Sequence, residues 1–267
     1  MEISFSIKNL SQNVLLIFSL FFILSSIVFP NQIHSSKTKK TQQCLISDKA
    51  KKVFGPLSKA EVLFLKNYPL GKTVCVNRQL PFPLNQDVVD ENTDNTIRSE
   101  LIRWVLMKPS LRSLVPEKGI TIEGAKISGP FFLSFVRIPV PLEFKKCCFD
   151  SFIDIIWLEV PFLSFEECVI GPLFAEDARI GGDLILKGIV SVGEIRLLRA
   201  SIGKNLDCSQ ALFLFHGNCP LYLEEAKING ALMLEGSAVP FGKICLYKAK
   251  LIRILKKPQS VSLSRSD

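Results

Sequence analysis

Between residues 120 and 254 the chain repeats one pattern: two apolar side chains separated by a single residue, with successive pairs stepping by five within each doublet. Leu163/Phe165 leads to Cys168/Ile170, Leu173/Ala175 to Ala178/Ile180, and Leu206/Cys208 to Ala211/Phe213. Two inward residues flanking one outward residue make a very short strand, and the polar residues between pairs make a corner. A helical bundle would show a period of 3.6, and a sandwich would show alternating runs of uneven length. More than twenty such pairs in series fit neither, and an internal repeat of this kind determines the fold. The expectation is a mainly β chain wound as a solenoid, with glycines such as Gly129, Gly193 and Gly203 turning the corners. About six coils at the roughly 4.8 Å spacing of stacked strands would give a rod about 30 Å long. At one place, Ile189, the inward partner is either Ser191 or, with a one-residue slip, Val192.

The stretches AKISGPFFLSFVRI, ARIGGDLILKG, ASIGKNLDCSQALF and AKINGALMLEG resemble the pentapeptide-repeat superfamily. That resemblance implies a right-handed β-helix in which four pentads make one square coil, and it specifies a fold rather than an activity. It covers about half the chain. Two departures stand out: an extra residue commonly follows every second pentad, and alternate small positions hold Leu or Ile, which implies wider or flatter coils. Arg98-Ser-Glu-Leu-Ile-Arg-Trp-Val-Leu resembles the leader helix of bacterial repeat proteins. Family members that imitate DNA need a strongly acidic rod, whereas residues 119–254 carry 14 Lys and Arg against 15 Asp and Glu.

Ahead of the repeats the chain divides into further segments. Residues 14–29 form an uncharged apolar run, read within 1–30 as a membrane anchor or signal segment. The run is intermediate in length between a spanning helix and a signal core, and a good small-residue cleavage site is missing, which favours an uncleaved single-pass transmembrane helix. Downstream lysines argue for keeping the following domain in the cytoplasm, and the usual behaviour of such segments argues for export; the side stays open. A basic linker over 31–57 follows, then a small helical capping region over 58–118. In that region Ser58 and Glu61 have capping-box spacing, and Asn95 or Asp94 is placed to cap a helix over 96–107 that plugs the open solenoid end. Residues 255–267 read as a disordered tail.

The formal net charge of +8 lies outside the repeats, in Lys37 to Lys52 and in the tail, with no aromatic interleaving, so nucleic acid is not expected as a partner. Cys44 and Cys75 are a possible disulfide, while Cys147, Cys168 and Cys208 fall on inward positions. No Cys-x-x-Cys occurs and only His34 and His216 add imidazoles, so neither a metal site nor a cofactor is expected. Glu166, Glu167, Glu176 and Asp177 are the nearest approach to a carboxylate cluster, and on adjacent coils they would support the alternative of a polysaccharide-active β-helix enzyme. His216 has no evident catalytic partner. A short insertion between Phe213 and Leu221 should bulge from one corner, which makes Leu214, Phe215, His216, Gly217 and Asn218 the candidate interaction loop. The reading that follows is a non-enzymatic, membrane-tethered scaffold that contacts the membrane through 14–29 and binds a protein partner, with no small-molecule substrate.

Overall fold

The structure is a computed structural model that describes residues 45–77, 93–255 and the strand Leu263–Ser264. The chain forms two compact units, residues 1–52 and 53–267. In the first, the described residues 45–52 are helical. The second is a parallel β-solenoid of about six coils behind a helical cap.

Each coil presents four short strands, which stack on their counterparts in the next coil as four faces. In the third coil these are Leu163–Glu166 on face 1, Val169–Ile170 on face 2, Leu173–Phe174 on face 3 and Arg179–Ile180 on face 4. All pairings are parallel. On face 1, Leu142 stacks on Leu163, Leu163 on Leu184 and Leu184 on Leu206, so one coil takes 21 or 22 residues. The inward column of leucines on face 1 is fully buried, and the core continues into a ring cluster in which Phe144 and Phe165 lie stacked 5.5 Å apart.

The five-residue step has a structural cause. The corners joining face 1 to 2 and face 3 to 4 are tight turns: Ala178 N–H donates to the Ala175 carbonyl and Ala200 N–H to the Leu197 carbonyl. In each, the third residue has positive φ, as at Glu167, Asp177 and Arg199, which is the requirement of a type II turn. The other two corners are looser and absorb the extra residues. The glycines expected to turn the corners mostly do something else. Gly193 and Gly203 have ordinary φ, but a Cβ would fall 2.4 Å from Pro172 N and 2.1 Å from the Gly181 carbonyl oxygen of the preceding coil. They permit close stacking rather than turning.

At Ile189 the inward partner is Ser191, fully buried, while Val192 is 57% exposed. Register decides against hydrophobicity here: Ser191 pairs with Ile170 and its hydroxyl donates to the Gly193 carbonyl at 2.7 Å, which satisfies it internally. The Cys147, Cys168 and Cys208 side chains are buried as expected, and burial pushes the Cys168 and Cys208 thiols above their ordinary range.

The cap helix Lys59–Asn67 begins at the expected capping box between Ser58 and Glu61. Glu61 is also buried beneath Arg98, whose Nε and Nη2 donate to its two carboxylate oxygens at 2.6 and 2.7 Å. The second helix runs Ser99–Met107, three residues shorter than expected. Thr96–Arg98 is instead a strand, pairing with Lys126–Ser128 as the first rung of face 2, and Val74–Cys75 does the same for face 1. Asp94 does not cap the helix; it pairs with Lys59 at 2.6 Å. The helix lies over the first coil, with Ser99 Oγ donating to the Pro130 carbonyl and Arg103 Nε to that of Phe132. Leu263–Ser264, within the segment expected as a tail, adds a rung to face 3.

One element of the expected fold is corrected. Among the described residues no helix is long and apolar enough to cross a membrane. Residues 14–29, on which the transmembrane helix is placed by the sequence, lie outside the described residues, and the described fold is a solenoid with a helical cap.

Candidate functional site

The insertion lies at the loose corner between faces 2 and 3 of the fifth coil. Ile195 stacks on Leu221, an offset of 26, where Leu173 on Ile195 is 22. Leu214 N–H still donates to the Ser191 carbonyl, continuing face 2, and the chain then leaves the coil. The bulge is clamped to the sixth coil at three points. Cys219, buried, forms a disulfide with Cys245. Lys243 N–H donates to the Asn218 carbonyl at 3.0 Å. The His216 ring stacks on Phe241 with centroids 4.1 Å apart. Gly242, at φ +74°, sits so close to the Gly217 and Asn218 carbonyls that a Cβ would meet them at about 2.5 Å. His216 and Asn218 remain exposed on this braced support, while Leu214 and Phe215 are half-buried.

The four carboxylates are not brought together. Glu166 and Glu167 belong to the corner of faces 1 and 2, Glu176 and Asp177 to that of faces 3 and 4. Each faces a basic residue on an adjoining coil: Lys145 at 3.4 Å, Lys146 at 3.7 Å, Arg196 at 2.8 Å and Arg199 at 2.6 Å. A two-carboxylate hydrolytic site needs both groups across one groove, and this cluster does not provide it. Among the described residues no group of three or more His, Cys, Asp and Glu side chains is placed to hold a metal ion. Of the Cys44 and Cys75 pair, Cys75 is half-buried in the first strand of face 1 and Cys44 lies outside the described residues. The Cys219 to Cys245 bridge was not expected, because Cys245 reads as an ordinary outward residue until the coil register places it above the bulge.

Sorting the outward residues by face shows a second feature. On faces 1, 3 and 4 the residue between the two inward positions is often polar or charged, as at Glu143, Asp154, Glu159 and Asp207. On face 2 it is Lys126 in the first coil and then Cys148, Val169, Val190, Leu212 and Ala238, which stack in register through five coils. Val192 extends this strip toward the bulge. Parallel strands that are apolar on both sides normally have both sides covered; these five outward side chains are half-buried. No family model matches the chain, and neither a curated protein nor a solved structure matches it, so its assignment to the β-solenoids rests on its own strand register.

Proposed function

We propose that the chain is a non-enzymatic interaction scaffold, a solenoid of pentapeptide-repeat type that binds a protein partner along face 2 beside the 214–218 bulge. The observation that supports this reading is the continuous outward apolar column from Cys148 to Ala238, half-buried and in register through five coils. The strip is one side chain wide and spans four rung spacings, about 19 Å. A stable symmetric dimer buries about 800 Å² per partner, more than so narrow a strip supplies, and a single helix or extended segment is the better match. The clamped bulge gives this segment an edge to register against, with His216 and Asn218 offering polar contacts.

The test is site-specific photo-cross-linking in cells, with p-benzoylphenylalanine placed at Val190 or Leu214 on the proposed surface and at Asp207 or Thr121 on face 1. Adducts of one defined mass from the first two positions only would support the reading. Equal yields from both faces, or none from face 2, would overturn it.

A further inference from the structure

Face 4, separated from face 2 by the two intervening faces, has a chemistry that protein docking on face 2 does not use. On several other parts of the solenoid charges are matched from coil to coil, as in Lys126 with Asp150, Lys145 with Glu166 and Arg196 with Glu176. The first coils of face 4 follow the same rule, since Glu159 lies 3.5 Å from Arg137 and 3.0 Å from Arg179. Beyond Ser201 the rule stops. Lys227 stacks directly on Lys250, and within the described residues neither makes an ion pair. Like charges at the roughly 4.8 Å rung spacing repel. Lys204 and Lys248 stand exposed at the two corners beside them. Face 4 with its corners holds eight of the 14 basic residues of 119–254 and six of the 15 acidic ones, but beyond Ser201 it holds Lys204, Lys227, Lys248, Lys250 and Arg253 against Glu224 and Glu225.

The same face carries protruding apolar groups. Phe135 is 77% exposed and Trp157 46% on the corner with face 3, and Ile252 is 73% exposed on the corner with face 1. Phe135 and Trp157 occupy positive-φ turn positions, at +59° and +57°. A non-glycine residue there costs about 1–2 kcal/mol, and such exposed rings recover little of it through burial. Gly or Asn would suit the backbone better, and beyond the Arg179 guanidinium 5.8 Å from the Trp157 ring centroid, packing does not account for aromatic side chains at these corners.

Unpaired cations between protruding aromatic and aliphatic groups on a flat sheet match the headgroup region of an anionic bilayer, where lysines meet phosphates and aromatic rings sit at the interface. A nucleic-acid strand would need a series of rings free to stack on its bases, whereas here Trp157 and Tyr247 each lie under a cation, Arg179 and Lys248, and Phe135 stands alone. From these placements we infer that face 4 docks on an anionic lipid surface.

The test uses the full chain and sedimentation with phosphatidylcholine vesicles, with and without phosphatidylserine. Residues 14–29 are apolar and can carry protein onto any vesicle, so the quantity read is the ratio of binding to anionic over neutral vesicles. K227E/K250E should lower this ratio at least about tenfold, while K72E/K187E, with the same change in net charge, should leave it within about twofold. In a Trp104→Phe background, brominated lipid should quench Trp157 in anionic vesicles only. Equal losses in both double variants, no dependence on phosphatidylserine, or an unquenched Trp157 would each overturn the assignment. So would binding to soluble polyglutamate, but not to vesicles, that is lost in K227E/K250E; that result would assign the face to an acidic protein segment.

Discussion

The Cys219 to Cys245 bridge should hold the last coils in place, and replacing both residues with serine measures how strongly. The two cysteines are 26 residues apart, and closing a loop of that length removes unfolded-state entropy equivalent to about 3.5 kcal/mol. In a solenoid each coil contacts only its neighbours, so the loss should not spread evenly. Among the described residues, the sixth coil is supported on one side by the fifth and on the other by Lys250–Leu255 and Leu263–Ser264. Without the bridge, opening of this end should become about 300-fold more frequent, taking 1.4 kcal/mol per factor of ten. Hydrogen exchange with mass spectrometry would read this as faster exchange in Ile244–Cys245 and Lys250–Leu255, with Leu163–Glu166 unchanged. Mild reduction of the wild-type chain should reproduce the pattern. Uniform acceleration through all coils, no change at the end, or alkylation of Cys219 and Cys245 without prior reduction would refute the reasoning.

Other outcomes follow from single sites. Gly193→Ala places a Cβ 2.4 Å from Pro172 N and should cost about 2 kcal/mol by denaturant titration, because the obstructing atoms are backbone and cannot rotate away. Glu61→Ala should cost about 3 kcal/mol and loosen the cap, since Arg98 would lose both carboxylate contacts in a part-buried setting; Lys59→Ala, which removes only an exposed ion pair, should change stability by less than about 1 kcal/mol. Tyr68 is buried with a hydroxyl that has no hydrogen-bond partner among the described residues, so Tyr68→Phe should leave the melting temperature unchanged or raise it. Burial raises the Cys208 thiol above its ordinary range. At neutral pH that thiol is protonated in both states; above about pH 9 the unfolded chain releases the proton while the fold retains it, so stability falls as pH rises. Cys208→Ala should remove about 1.4 kcal/mol per pH unit from that alkaline slope.

The solenoid was legible because its inward positions repeat with little noise, and all the pairs quoted above, from Leu163/Phe165 to Ala211/Phe213, are buried. The capping box at Ser58 was legible for a similar reason, being a local motif whose two hydrogen bonds involve residues three apart. What failed were decisions that depend on distant partners. Thr96, Ile97 and Arg98 have the spacing of a helix start, but pairing with Lys126–Ser128 draws them into a strand. The glycines of the loose corners looked like turn formers, although the tight turns are made by residues such as Glu167 and Asp177, and the glycines serve close contact between coils.

The functional surfaces depend on the same distinction at a larger scale. A pair such as Val190 within Ile189/Ser191 is recognisable in the sequence, but the face it belongs to is not, because that depends on how many residues each loose corner absorbs. An error of one pair in the count moves an outward residue by a quarter turn. Once Leu163, Leu184 and Leu206 are stacked, the near-neutral repeat domain separates into an apolar face 2 and a basic face 4. A net charge near zero over 119–254 therefore says little about what the rod can bind, since opposite signs on different faces cancel in the sum and not in space. The insertion obeys the same logic: four extra residues at a corner of faces 2 and 3 sit beside the apolar column, whereas the same residues at a corner of faces 4 and 1 would have stood beside the lysines. Position around the coil, more than the composition of the loop, decides which kind of partner residues 214–218 can help to hold.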